Sequence, residues 1–393
     1  MKQPTLRIKK THAASILRGC PWVMRHQAVE SSEWMAALPG SLVRVETERG
    51  EFIGTGVVNP LSQIVCRMLS WQREAIDAAF FTRLITQALE KRTALYDAPY
   101  YRLVHAEADG LPGLVIDRFD DVLVAQVGSH GMEKLQPIWL VALEHLLEPR
   151  SVVMRNDFSA RKLEGLVQEV KVIKGSVPEY VTLTENGCIY SADVLSGQKT
   201  GWFYDMRDNR KMLAGMAEGK TMLDVFSHSG GFGLLAATQG ACDVTMVDSS
   251  ALALDLAMRA AAENGVASRS STIRGDALEV MRRLASEGRV YDLVVADPPA
   301  YVKSKKDIAS GLKGYEKVAA QAAMLVEKGG HFFTATCSHH AGRSAFNKAV
   351  LSGIAQAGRA AEIIRQTGAG SDHPLHPHLP QSEYLKGLLL RLN

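Results

Sequence analysis

The sequence predicts a multidomain α/β chain: a β-rich N-terminal module, an α+β middle domain, and a C-terminal Rossmann-like, seven-stranded doubly wound domain. Three observations predict it. From residue 193 onward, strand-like and helix-like segments alternate, the rhythm of a parallel sheet covered by helices. The first of these strands, Met222 to Phe226, runs into the polar glycine-rich turn Ser227-His-Ser-Gly-Gly-Phe-Gly233, which opens a helix. Acidic residues then mark the ends of successive strands: Asp224, Asp248, Asp276 and Asp297.

At 393 residues the chain exceeds one ordinary domain, so two or three are expected. Residues 1–72 read as short β runs (Leu42 to Glu46, Phe52 to Val58, Ile64 to Leu69) separated by Pro39-Gly40, Arg49-Gly50 and Asn59-Pro60. Residues 1–30 carry Lys2, Arg7, Lys9, Lys10, Arg18 and Arg25 against Glu30 alone, a basic face suited to phosphates. The net charge of the whole chain is only +3, so the local distribution carries that reading. Residues 73–192 form the second segment. An amphipathic connector helix is expected at 74–93, with Ile76, Phe80, Leu84 and Ala88 on one face. Strands follow at 101–106, 114–117 and 122–127, then a helix over about 132–147 and a strand at 151–155. Asn186-Gly187 predicts a type I′ hairpin between 180–184 and 188–192. Residues 193–393 form the third segment, with strands at 221–227, 242–248, 271–274, 291–296, 330–336, 360–367 and 383–391. The last can insert antiparallel beside its predecessor.

Composition excludes other classes. No apolar run reaches the roughly 18 to 20 residues that span a bilayer, and the first residues lack the apolar core of a signal peptide. The five cysteines (Cys20, Cys66, Cys188, Cys242, Cys337) are scattered, with no pair at metal-ligand spacing. No metal, no membrane partner and a cytoplasmic, reducing compartment are therefore expected.

The glycine turn and its carboxylates define the ligand class. Asp248 lies 24 residues after Asp224, where a carboxylate accepts both hydroxyls of a ribose. Asp276 follows the third strand and could accept from an adenine amino group. A dinucleotide enzyme shares the first two features, but its pyrophosphate requires G-x-G-x-x-G, absent here. An acidic residue beside the turn suits a cation better than a pyrophosphate. Asp224, Phe226, Ser227, Ser229, Gly230, Asp248, Asp276 and Asp297 together resemble the cofactor site of a class I S-adenosylmethionine-dependent methyltransferase.

Two further residues carry the chemistry. Asp297-Pro298-Pro299 holds a carboxylate rigidly at the mouth of the sheet, because two prolines fix an extended backbone. Cys337 ends the fifth strand in a polar Thr-Cys-Ser-His-His turn. The other four cysteines read as small buried hydrophobes. A thiol and a carboxylate beside a methyl donor point to methylation at C5 of a pyrimidine. That carbon is a poor nucleophile until a thiolate adds at C6. The target base must leave its stack to enter such a pocket. Pro298, Pro299, Tyr301, Lys303 and Lys305 are then substrate-side candidates, with Lys306 on the same phosphate-clamping loop. His339 and His340 are candidate proton handlers.

Segment 17–25, Leu-Arg-Gly-Cys-Pro-Trp-Val-Met-Arg, resembles the PUA domain, a pseudo-barrel of RNA-modifying enzymes. Across nearly its whole length the chain resembles the bacterial 23S ribosomal RNA (cytosine-C5)-methyltransferases with an N-terminal PUA domain. The motifs are Gly197-Gln-Lys-Thr-Gly-Trp-Phe-Tyr-Asp-Met-Arg-Asp-Asn-Arg210, Asp224 to Gly233, Asp297 to Lys305 and the Cys337 turn. The resemblance implies that Gln198, Thr200 and Phe203 help form the cofactor pocket and that Cys337 is the nucleophile. It also implies S-adenosylmethionine as cofactor and 23S ribosomal RNA or its precursor as partner, and a homodimer is left open. One departure bears on specificity. Most other RNA cytosine-C5 enzymes have Pro-Cys in the fourth-strand motif, whereas Ala300 follows Pro299 here. A uridine-C5 or base-amino methyltransferase, or a non-catalytic RNA-binding assembly factor, therefore stand as alternatives.

Overall fold

The computed structural model describes residues 3–393; Lys2 of the basic N-terminal face lies outside them. The chain divides into two compact units. The first comprises residues 1–181, 193–202 and 372–380, and the second residues 182–192, 203–371 and 381–393.

The first unit holds two five-stranded sheets. In one, β1 (Thr5–Ile8), β2 (Trp22–Met24), β3 (Ser41–Thr47), β4 (Phe52–Val58) and β5 (Ile64–Ser70) run in the order β1-β3-β4-β5-β2. β1 pairs parallel with β3 and the remaining pairs are antiparallel. Its interior is packed with Leu6, Ile8, Ile16, Val43, Val45, Ile53 and Trp34. The other sheet has the order β10-β9-β8-β7-β6, from β6 (Tyr100–His105), β7 (Leu114–Phe119), β8 (Val122–Val127), β9 (Ser151–Arg155) and β10 (Val170–Lys174). The connector helix runs Ala78–Thr93. It starts there because the Asp77 carboxylate accepts the Phe80 N–H, a normal N-cap. Its apolar face buries Phe80, Phe81, Ile85 and Ala88 against the second sheet. Each of the buried phenylalanine and isoleucine side chains contributes roughly 1.5–3 kcal/mol.

The first unit also holds a run of buried charge absent from the sequence-based expectations for residues 73–192. Arg92 binds Asp109 through both carboxylate oxygens at 2.8 and 2.7 Å, and Arg102 binds Asp117 likewise at 2.8 and 2.9 Å. Asp117, fully buried, also accepts the Thr200 hydroxyl at 2.6 Å.

In the second unit, the hairpin β11 (Val181–Glu185) and β12 (Cys188–Ala192) turns at Asn186 and Gly187. Both have positive φ, 53° and 80°, the type I′ geometry expected from the dipeptide. Seven strands form the main sheet: β13 (Thr221–Val225), β14 (Asp243–Asp248), β15 (Ser270–Arg274), β16 (Tyr291–Ala296), β17 (Val326–Thr336), β18 (Ala361–Thr367) and β19 (Lys386–Leu392). Their order is β15-β14-β13-β16-β17-β19-β18. The first five are parallel, and β19 inserts antiparallel between β17 and β18. The central strands are apolar on both faces because helices cover both: Leu223, Val225, Val294, Ala296 and Phe332 line one face, Met222, Leu293, Val295 and Phe333 line the other, and all are buried.

Candidate active site

The parallel register aligns the predicted carboxylates along one edge. Val225 pairs with Val247 on one side and with Ala296 on the other, so Asp248 and Asp297 each follow directly on a residue level with Val225. This edge lies at the C-terminal ends of the strands, beside the strand where the order reverses, the usual ligand crevice of such sheets.

The turn after β13 is held in an unusual backbone conformation. Phe226, His228 and Gly230 all have positive φ, at 62°, 50° and 80°. Non-glycine residues in that region store about 1–3 kcal/mol each and persist where surrounding contacts impose them. Those contacts are visible. Asp248 accepts the His228 N–H through one oxygen and the Ser250 N–H through the other, both at 2.9 Å. Asp224 accepts the Gly233 N–H at 2.9 Å and so caps helix Gly231–Thr238. Ser227 N–H donates to the Val247 carbonyl at 3.0 Å. Gly230 is required twice over: a side chain there would be strained by its φ and would sit 2.8 Å from the Met246 sulfur.

Electrostatics set the ligand class. Asp224 is buried, and its carboxyl is pushed up to about 7. Burial is the main cause, and the nearby charges of Asp297 and Asp248 add to it. The Gly233 N–H and the Arg210 guanidinium pull the other way. Three carboxylates thus converge on one turn, an arrangement that a cationic ligand relieves. The Ser227 hydroxyl oxygen is buried with no hydrogen-bond partner among the described residues, as expected of a group waiting for a polar ligand. The Ser229 hydroxyl lies 3.2 Å from His228 Nδ1, and the Phe203 ring packs edge-on against the His228 ring at 5.3 Å. These residues fit S-adenosylmethionine, which carries a sulfonium, an amino group and a ribose.

The sequence candidates are not all placed alike. Asp224, Phe226, Ser227, Ser229, Gly230, Asp248, Asp297 and Phe203 belong to the second unit. Gln198, exposed, and Thr200, buried on Asp117, belong to the first. Asp276 is exposed beyond β15, where one of its oxygens caps helix Ala277–Ser286 through the Glu279 N–H at 3.1 Å.

The Asp297 loop and the Cys337 turn are tied together by a side chain that the sequence had not singled out. The Tyr315 hydroxyl accepts the Thr336 hydroxyl at 2.6 Å and the Tyr301 N–H at 3.2 Å. Those two bonds fill its acceptor capacity, so its own proton goes to the Ser338 hydroxyl, 2.8 Å away. Ser338 also accepts the Val302 N–H at 3.1 Å. Thr336, Ser338 and Tyr315 are all buried. Cys337 lies half-buried between two of them. Pro298 is buried, Pro299 is exposed, and Lys303, Lys305 and Lys306 are exposed on the following loop. His339 and His340 are exposed, and His339 Nδ1 lies 3.3 Å from the Gln381 carbonyl.

Residues 6–71 match the PUA-like domain family, and residues 207–341 match the family described as conserved hypothetical protein 95. Over 389 residues the chain is 36% identical to the ribosomal RNA large subunit methyltransferase I of Aeromonas hydrophila, covering 97% of this chain and 98% of that one. It is 34% identical over 391 residues to the enzyme of the same name from Aliivibrio fischeri, covering 98% of each. The chain belongs to the ribosomal RNA large subunit methyltransferase I family. As a member it is a ribosomal RNA large subunit methyltransferase, as the resemblance had implied. Solved structures share the whole architecture. A SAM-dependent methyltransferase from Streptococcus mutans superposes with a TM-score of 0.82 at 20% identity, covering 99% of this chain and 100% of that one. SMU.776, described as a methyltransferase and solved with SAH, superposes with a TM-score of 0.84 over the same shares.

Proposed function

We propose that the enzyme methylates C5 of a cytosine in 23S ribosomal RNA through a covalent adduct between Cys337 and C6 of the base. The observation that carries this reading is the tie, through Tyr315 and Ser338, between the Asp297 loop and the Cys337 turn. It gives one half-buried thiol a defined place at the mouth that carries the Asp297 carboxylate.

Bound at the glycine turn, S-adenosylmethionine supplies an electrophilic methyl group. Asp224, Phe226, Ser227, Ser229, Gly230, Asp248 and Phe203 are the residues of the second unit that hold it in this reading, with Asp276 on its adenine side and Gln198 and Thr200 as further members. The chain's own part is as follows. The Cys337 thiolate adds to C6 and turns C5 into an enamine-like carbon. Asp297 stabilises charge developing at N3 and the 4-position. Loss of the C5 proton after methylation expels the thiolate. Pro298, Pro299 and Tyr301 shape the pocket for the extruded base, and Lys303 and Lys305 hold flanking phosphates. Residues 1–72 serve as an RNA-binding domain, residues 73–192 as a middle domain and residues 193–393 as the methyltransferase domain. Two observations support RNA contact by residues 1–72: the match to the PUA-like family and the exposure of Arg7, Lys9, Lys10 and Arg18.

One assay tests the reading. The protein is incubated with large-subunit RNA and labelled S-adenosylmethionine, and the digested nucleosides are identified. 5-Methylcytidine is expected; 5-methyluridine or an N-methylated base overturns the proposed target. Among the described residues no helix is long and apolar enough to cross a membrane, which accords with the proposed cytoplasmic location. A homodimer is a separate proposal, and sedimentation equilibrium showing a single 42.8 kDa species would overturn it.

A further inference from the structure

Lys386 has no part in the chemistry above, yet it holds the turn that carries the proposed nucleophile. It opens β19 and pairs directly across from Thr336, the residue before Cys337. It is only 5% exposed. Its ammonium donates to the carbonyl of Ser338, the residue after Cys337, and to the carbonyl of Tyr384, both at 3.2 Å. Lysine is almost never buried without a counter-charge, because desolvating an ammonium is costly. Among the described residues no carboxylate forms an ion pair with it. Glu383, three residues earlier, is bound by Arg343 at 2.7 Å.

The other polar groups around this turn are already engaged or face outward. The Tyr384 hydroxyl donates to Asp205 at 2.7 Å. His339 and His340 are exposed. Burial lowers the Lys386 pKa; Glu383 pushes it back up, Arg343 pushes it down, and Cys337 pushes it up. The last effect is mutual, since a thiolate that favours the ammonium is itself favoured by it.

We propose that Lys386 is the counter-cation of the Cys337 thiolate, a positioning residue that braces the turn on both sides of the cysteine and favours loss of the thiol proton to solvent. The proposal rests on the reading of Cys337 as the nucleophile, for which the thiolate is the reactive form.

The test is alkylation of the full-length protein by iodoacetamide, followed at the Cys337 and Cys242 peptides by mass spectrometry. Wild type, Lys386→Met and Lys386→Arg are compared at pH 7.5 and pH 10. At pH 7.5, Cys337 of Lys386→Met is expected to react about tenfold more slowly than wild type, with Lys386→Arg close to wild type. At pH 10 a thiol ionises unaided, so the three rates should converge. Exposed Cys242 should not change among them. Equal Cys337 rates in wild type and Lys386→Met at pH 7.5 overturn the proposal. So does a slowing that persists undiminished at pH 10, which would mean lost access. If Lys386→Met does not fold, wild type alone decides: the ratio of Cys337 to Cys242 reactivity must fall from pH 7.5 to pH 10, and a constant ratio overturns the proposal. Methyl transfer by Cys337→Ala is measured in parallel. Activity in that variant would remove the nucleophile assignment and leave the alkylation result standing.

Discussion

Two stretches of the second unit are built on opposite principles. The turn from Asp224 to Gly233 is a backbone device. Its shape comes from three positive φ values and from carboxylates that accept backbone N–H groups within or beside it. The mouth formed by the Asp297 loop and the Cys337 turn is a side-chain device. It depends on the Tyr315 hydroxyl, supplied by helix Ile308–Ala323, and on Ser338, which together fasten two loops separated by some forty residues of sequence. A backbone device leaves glycines and acids at fixed spacing. A side-chain device leaves almost no local pattern, because its parts meet only after folding. The difference teaches that a turn shaped by its own backbone is easier to read from sequence than a mouth fastened by side chains far apart in the chain.

The comparison can be broken at either end. The largest effect is expected from Cys337→Ala, which should cut methyl transfer by at least about 10³-fold and abolish the adduct with 5-fluorocytidine-substituted RNA. Cofactor affinity, measured by calorimetry, should stay within twofold, since the turn is intact. Tyr315→Phe removes the shared hydroxyl and no apolar volume. It should lower kcat about 10- to 100-fold through misplacement of the mouth, with cofactor Kd unchanged. The buried Thr336 and Ser338 hydroxyls lose a partner, so stability should also fall by about 1–3 kcal/mol in urea unfolding.

Gly230→Ala attacks the other device. The added methyl meets Met246 and Leu234, and the φ of 80° disfavours any side chain. A loss of about 2–4 kcal/mol in stability and a clear weakening of cofactor binding are expected, with the Cys337 alkylation rate unchanged. A subtler probe is pH. The Asp224 carboxyl is raised to about 7, above its unfolded value, so its contribution to stability is full below the unfolded pKa and is lost as pH rises through about 7. Through this carboxyl the apoprotein should lose stability from pH 5 to pH 8, and Asp224→Asn should lessen that loss. A cationic cofactor favours the ionised carboxylate, so its affinity should rise up to about tenfold from pH 6 to pH 8, and Asp224→Asn should flatten that slope. Smallest of all, Lys10→Ala and Arg18→Ala remove exposed charges from the N-terminal sheet's segment. Each should weaken RNA binding a few-fold and reduce the salt slope by about one, leaving cofactor affinity unchanged.

Much of the fold was legible because its signals are local. The strand of apolar residues before Ser227, the Asn186-Gly187 turn and the apolar face of helix Ala78–Thr93 each follow from residues near one another in the chain. The carboxylates Asp224, Asp248 and Asp297 were legible for a related reason: a parallel sheet puts the ends of successive strands on one edge, so order in sequence becomes proximity in space. Residues 197–210 had no meaning from spacing alone, and only the resemblance singled out Phe203, now found against His228.

Tyr315 and Lys386 escaped that reading for the opposite reason. Tyr315 occupies the buried face of a helix, where an aromatic residue is ordinarily core, and Lys386 reads as the polar start of a strand. The sequence by itself determined the sheet, the turn at its edge and the places of Asp224, Asp248 and Asp297 at the strand ends. Only the tertiary structure decided that Asp224 is buried enough to hold its proton near neutrality, and that a tyrosine hydroxyl and a lysine ammonium bind the residues flanking the cysteine. Desolvation and long-range hydrogen bonds depend on everything packed around a group, and no window of sequence contains them.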